Sequence, residues 1–181
     1  MEGAIVNIMK FVNCSFENHA EAILAIFNDA IINSTALYDY KLRTMENMIL
    51  WFEEKEKGHY PVIGLVNEEE QLMGFATYGR FRMQPAFKYT VEHSVYLHRD
   101  FRGQGIATLL VEQLIQQANR QDYHVMIGAI DMENCGSIAL HQKLGFIHSG
   151  TINQAGYKFG RWLDLGLFQK ILKTPKKPEE G

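Results

Sequence analysis

The sequence predicts an α/β fold in one domain, and three observations carry that prediction. Two helical stripes near the N-terminus precede a run of short β-branched and aromatic segments. The polar turn NEEE at 67–70 separates two of those segments as in a hairpin. A strand, a glycine turn, a helix and another strand then follow, so an antiparallel meander runs into a strand–helix–strand unit.

The elements follow in order. AIVNIMKFVNC gives a first strand over about Ala4 to Asn13; it is short and broken by Lys10, which argues against a signal peptide or a membrane span. A helix is predicted from about His19 to Ile32, where Ile23, Leu24, Ile26, Phe27, Ala30 and Ile31 recur at helical spacing. A second helix, Thr44 to Lys57, has Thr44 as its cap and stops at Gly58. YPVIGLV and QLMGFATYGRF form the hairpin strands, and KYTVEHSVYL is the next strand. A helix over about Gln104 to Asn119 follows the turn, with a stripe of Ile106, Leu109, Leu110, Leu114 and Ala118. HVMIGAI is a strand, Cys135 to Lys143 a short helix closed by Gly145, and two last strands fall near Phe146–Gly150 and Leu163–Leu172. Residues 1–173 form the domain, and the Pro- and charge-rich residues 174–181 are expected to be a mobile tail.

Bulk properties narrow the function. A net charge of −3 makes no electrostatic case for nucleic acid. Seven histidines show no HExxH spacing, so no metal is expected. Two cysteines, Cys14 and Cys135, are too few for a disulfide framework and favour a reduced, cytoplasmic setting.

The chemistry concentrates at RGQGIA, Arg102 to Ala107. A helix N-terminus leaves backbone N–H groups unpaired and carries partial positive charge, and glycines let the chain turn sharply there. This is a candidate pyrophosphate cradle, to be weighed against simple turn geometry. It lacks the Lys-Ser or Lys-Thr of a P-loop. It also lacks the third glycine of a dinucleotide fingerprint, which here is Thr108, although Asp131 ends the next strand where a ribose-binding acid would stand.

RGQGIA fits the R/Q-x-x-G-x-G/A signature of the GCN5-related N-acetyltransferases (GNAT), and NCGSIALHQKLGF resembles that superfamily's second cofactor segment. TVEHSVYLH and KFGRWLDLGLFQ are similar to its phosphinothricin and methionine sulfone/sulfoximine acetyltransferase branch. The resemblance runs from about Ala25 to the end of the last strand.

It implies a GNAT fold: a mixed, mostly antiparallel sheet of about seven strands flanked by helices, splayed at the strand before the cofactor turn. It implies acetyl-CoA as co-substrate, a small amine as acceptor, and a homodimer. Backbone groups of Val95, Tyr96 and Leu97 would bind pantetheine and the acyl carbonyl. Arg102 and the N–H groups of Gly103, Gln104, Gly105, Ile106, Ala107 and Thr108 would hold the pyrophosphate, with Asn134 and Ser137 as further cofactor contacts. Asn134 also reads independently as a helix N-cap.

Glu92 reads by itself as part of a solvated strand face; the match at TVE implies that it is the base. Strand alternation puts Val91, His93, Val95 and Leu97 on one face and Thr90, Glu92, Ser94 and Tyr96 on the other. A lysine-like amine of pKa ~10.4 is free base in only roughly one molecule in two thousand at pH 7, so its proton must be drawn away. His141 stands where many superfamily members place a tyrosine, and is a candidate acid or cofactor contact; Tyr96 is the alternative donor. A Cys135–His141 pair would instead suggest a covalent route, but six residues along one helix place the two poorly for it. Arg82, Met83 and Gln84 align with substrate-contacting positions of the branch, where an arginine can grip a carboxylate or phosphinate. YKFGRW should form a turn near the substrate mouth or a dimer contact. A polyamine, protein N-terminus or lysine as acceptor, or an acetyl-CoA-binding module without turnover, are the competing readings.

Overall fold

In the computed structural model, residues 9–180 are described; residues 4–8 of the expected first strand lie outside them. The chain runs β1 (Lys10–Asn13), α1 (Phe16–Asn33), α2 (Met45–Lys57), β2 (Val62–Val66), β3 (Leu72–Arg80), β4 (Thr90–Leu97), α3 (Ile106–Arg120), β5 (Val125–Asp131), α4 (Cys135–Lys143), β6 (Ile147–Lys158) and β7 (Arg161–Ile171). The strands form one seven-stranded sheet in the order β1-β2-β3-β4-β5-β7-β6. Among the described residues only β4 and β5 pair in parallel; every other neighbouring pair is antiparallel.

Helices cover both faces, and the alternation along β4 feeds two apolar layers. On one face Ile106, Leu110, Val111 and Leu114 of α3 pack with Val91, Tyr78, Met126 and Phe168. On the other, Ile23, Ile26 and Phe27 of α1 and Met48 of α2 pack with Phe75 and Tyr96. Phe27 is the hub there, its ring 5.1 Å from both Phe75 and Tyr96 and 5.4 Å from Trp51. Each such side chain removed from water contributes about 1.5–3 kcal/mol, which is what fixes the sheet between its helices.

Four elements depart from the expectations, each where no buried face marks the sequence. α1 starts at Phe16, one turn earlier, because its first turn presents exposed Glu17 and Asn18. β6 runs to Lys158 rather than ending near Gly150; nearly all its side chains are exposed, so no apolar alternation betrays it. Its hydrogen bonds come from β7, through a two-residue turn at Phe159 and Gly160, both with positive φ (52° and 75°), the geometry that suits the twist of a hairpin. Single 3-10 turns at Pro85–Phe87 and Arg99–Phe101 also went unpredicted. In the expected tail, the Thr174 hydroxyl donates to the Tyr123 carbonyl at 2.6 Å, and the Glu179 N–H donates to the Tyr89 hydroxyl at 3.0 Å.

Candidate active site

The sheet opens at its centre. β4 keeps its pairing with β3 through Leu97, and β5 keeps its pairing with β7 through Asp131. The parallel ladder between β4 and β5 has four rungs and stops at His93 opposite Gly128. Beyond that rung the strands part, and among the described residues the β5-facing edge of Ser94 to Leu97 carries no ladder partner. Unpaired main-chain groups beside a gap are an obligatory hydrogen-bonding surface for whatever enters it. Val95, Tyr96 and Leu97 lie there.

The glycine turn sits past the mouth of that gap. Gly103 and Gly105 have φ of 77° and 79°, and Gly105 is the residue from which α3 springs. A Cβ at either would meet nothing within 4 Å, so the glycines serve the left-handed backbone rather than a close contact. Among the described residues no backbone acceptor takes the N–H groups of Gly103, Gln104, Gly105, Ile106 or Ala107; the Thr108 N–H already bonds the Gly105 carbonyl at 3.1 Å. Five free donors at a helix N-terminus fit an anionic group well.

Arg102 faces elsewhere. It and Arg99 both bind Asp29 of α1, Arg102 at 2.7 Å. Burial raises the pKa of the Asp29 carboxyl, but the Asn33 hydrogen bond and the two arginines outweigh it and hold it below the usual range. Arg102 therefore ties the turn to α1.

α4 frames the gap from the other side. Asn134 caps it, its side-chain oxygen accepting the Ser137 N–H at 3.1 Å. His141 is buried; its Nδ1 lies 2.7 Å from the Ser137 carbonyl and its Nε2 lies 3.0 Å from Nε2 of His93. Cys135 is exposed, and the His141 ring has its polar contacts with Ser137 and His93 rather than with that thiol. Asp131, the possible ribose acid, is occupied: Thr35 Oγ1 donates to it at 2.6 Å and Arg161 at 3.0 Å.

Glu92 points to the α1–α2 face of β4, opposite Gly79 of β3. Burial pushes its carboxyl above the usual range, and the nearby Arg82 guanidinium opposes that rise. Arg82 lies over the Phe81 ring at 4.5 Å. Met83 is 78% exposed, and Gln84 is exposed beside it. Tyr96 is less a polar wall than core: its ring is buried, and burial pushes its hydroxyl up to about 12 while Ser94 and Arg43 pull it down and Asp39 and Glu92 add to the rise.

Asp39 and Arg43 were not found from the sequence. Both belong to the α1–α2 connection, residues 34–44, where they form an ion pair at 3.0 Å. Asn28 of α1 clasps the Arg43 backbone with hydrogen bonds of 2.9 and 3.1 Å, and the Arg43 guanidinium lies 4.1 Å above the Phe27 ring. The β6–β7 hairpin holds the same connection: buried Lys158 donates to the carbonyls of Ser34 at 2.8 Å and Leu37 at 2.6 Å, and the Tyr40 hydroxyl donates to the Tyr157 carbonyl at 2.5 Å. A visible signal was there: Leu37, Tyr38, Tyr40 and Leu42 are too apolar for an idle connection.

The chain resembles known proteins over most of its length. Residues 23–146 match the Acetyltransferase (GNAT) family. An L-methionine sulfoximine/L-methionine sulfone acetyltransferase of Pseudomonas aeruginosa is 43% identical over 147 residues, 81% of this chain and 86% of that protein. A candidate acetyltransferase of Acinetobacter baylyi superimposes with a TM-score of 0.97 at 56% identity, covering 98% of this chain and 99% of that one. A Salmonella typhimurium protein solved with acetyl-CoA gives 0.90 at 35% identity, covering 95% and 98%. A mostly antiparallel sheet opened between two parallel strands, a donor-rich glycine turn at the head of α3 and a buried carboxylate on β4 thus occur in a chain that belongs to the GNAT family of acetyltransferases.

Proposed function

We propose that this chain transfers the acetyl group of acetyl-CoA to the amino group of a small amino acid analogue, with methionine sulfone, methionine sulfoximine and phosphinothricin as leading acceptors. The gap between β4 and β5 carries the reading: it offers unpaired backbone groups to a cofactor on one side and the Glu92 carboxylate to an acceptor on the other. The acceptors named for the Pseudomonas relative, methionine sulfoximine and methionine sulfone, are small zwitterions, which suits the Arg82 guanidinium next to Glu92.

Both substrates bind before reaction. Acetyl-CoA lays its pyrophosphate on the free N–H groups of residues 103–107, the Thr108 N–H being taken by the Gly105 carbonyl, and its acyl arm along Val95, Tyr96 and Leu97, whose main-chain donors hold the developing oxyanion. Asn134 and Ser137 flank it from α4. Glu92 takes the proton of the ammonium, directly or through water. The free amine attacks the thioester carbonyl; the C–N bond forms, the C–S bond breaks, and the leaving thiolate takes up, by way of the donor, the second proton that the nitrogen sheds on becoming an amide. Of the two candidate donors, Tyr96 holds its proton at neutral pH because burial raises its pKa, whereas both ring nitrogens of His141 already have partners. Tyr96 and His141 both stay candidate donors to the thiolate: burial makes the Tyr96 hydroxyl a weak acid that Ser94 also shares, and His141 would have to release one of its two partners.

The enzyme works in the cytoplasm as a homodimer on this reading. The exposed Ile147, Ile152, Tyr157, Phe159 and Trp162 of the β6–β7 hairpin support a partner surface. Thiol release from acetyl-CoA across a panel of amino acids, polyamines and peptides tests the acceptor. Methionine sulfone, methionine sulfoximine or phosphinothricin should give the highest kcat/KM; faster turnover of a polyamine or peptide sinks that choice. Glu92→Gln should lower kcat by about 10²- to 10⁴-fold, the usual contribution of a general base, and flatten its rise with pH. Full activity in that variant removes Glu92 from the mechanism.

A further inference from the structure

His93 takes no part in the chemistry above, yet it stands on the last rung of the β4–β5 ladder, opposite Gly128. It is buried at 6% exposure and meets His141, itself buried at 2%. The two rings join edge to edge, Nε2 to Nε2 at 3.0 Å, with centroids 5.0 Å apart. Phe146 covers both, at 5.4 and 5.1 Å.

The protons can be assigned from the partners. The Ser137 carbonyl can only accept, so the His141 Nδ1 that lies 2.7 Å from it carries hydrogen. Burial disfavours the charged form of both rings and lowers both pKa values. A neutral His141 protonated at Nδ1 has a bare Nε2, so His93 Nε2–H must donate to it. His93 Nδ1 is then a lone pair, and it has no hydrogen-bond partner. The reverse arrangement would leave a buried N–H donor orphaned at that atom, or require a cation.

Gly128 makes room for the junction. A Cβ there would lie 3.1 Å from His141 Nε2 and from His93 Nε2, tighter than ordinary packing, and its neighbours are rings wedged by Phe146.

We propose that His93, His141 and the Ser137 carbonyl form a hydrogen-bond relay of fixed direction that pins the first turn of α4 to the point where β4 and β5 separate, with His93 and His141 as positioning residues for acetyl-CoA. The relay links the apex of the gap to the helix that carries Asn134 and Ser137. It sets how far α4 stands from β4, and with it the seating of the acyl arm. This rests on the gap being the acetyl-CoA site.

Two measurements test it. Long-range ¹H–¹⁵N spectra of the wild-type protein report the tautomers without any cofactor. His141 should be protonated at Nδ1 and His93 at Nε2 at about pH 8, where both rings are neutral, and each should titrate below the ordinary imidazole range, because burial disfavours its charged form. An Nε2-protonated His141, or either ring titrating at or above the ordinary range, overturns the relay. Kinetics then test its use. His93→Leu should raise KM for acetyl-CoA about tenfold, the effect of one lost hydrogen bond in a binding site, with KM for the amine within about twofold. His93→Gln keeps a donor in reach of His141 and should recover most of the loss. Gly128→Ala should mimic His93→Leu. Equal rises in both KM values, an unchanged KM for acetyl-CoA, or no recovery with glutamine would overturn the positioning role. Acetyl-CoA that fails to bind the wild-type protein in calorimetry would instead remove the cofactor reading and leave the tautomer result standing.

Discussion

On one side of β4 the turn before α3 offers the free N–H groups of residues 103–107. On the other, the α1–α2 connection is held in place by Lys158, by Tyr40 and by the Thr35–Asp131–Arg161 cluster. The first surface is backbone, and two glycines with positive φ are enough to shape it. The second is assembled from side chains that are distant in sequence, Lys158 reaching back to Ser34. A backbone cradle is read by any chain that can make the turn, so one donor can be shared by a whole family. A side-chain surface changes with each substitution, which lets the acceptor vary while the donor stays the same.

That contrast predicts separable defects. Gly105→Val should do the most harm. A β-branched residue at φ 79° is strained by roughly 1–2 kcal/mol and moves the N–H groups of the turn. KM for acetyl-CoA should rise about tenfold or more, with KM for the amine nearly unchanged; equal effects on both would break the division between the two sides.

Lys158→Met is the mirror experiment. It removes two hydrogen bonds to half-buried carbonyls, worth about 0.5–1.5 kcal/mol each, and frees the α1–α2 connection from the hairpin. The melting temperature should fall, and KM for the amine should rise several-fold while KM for acetyl-CoA holds. A cofactor defect of the same size would show that the hairpin supports both sides.

Arg82→Ala also removes the proposed grip on the acceptor, and its smallest but sharpest readout is the pH profile. Burial raises the Glu92 pKa and Arg82 opposes it, so loss of Arg82 lets the pKa rise further. The acidic limb of kcat/KM should move to higher pH. A limb that stays in place or moves to lower pH would separate Arg82 from the base.

The two sides also differ in how far the sequence revealed them. Gly103, Gly105 and Asn134 were legible as a left-handed turn and a helix cap because each sits in a short motif with its own local geometry, and Glu92 was legible as a candidate through the match at TVE. Asp39, Arg43 and Lys158 were not, because each matters through a partner from another element. Arg102 and His141 were legible as positions, but what they touch was not: the one turns to Asp29, the other to His93. β6 escaped for a related reason, since an edge strand exposed on both faces leaves no periodic signature and takes its hydrogen bonds from β7.

By itself, then, the sequence determined the order of helices and strands, the two-layer core, the glycine turn and the carboxylate that precedes it on β4. These follow from periodicity and from backbone conformations that only certain residues adopt. The tertiary structure alone decided where β4 and β5 part, which donors were left unpaired there, and how the paired histidines close the apex. Those depend on the pairing of strands and the burial of polar groups far apart in the chain, and no local pattern encodes them.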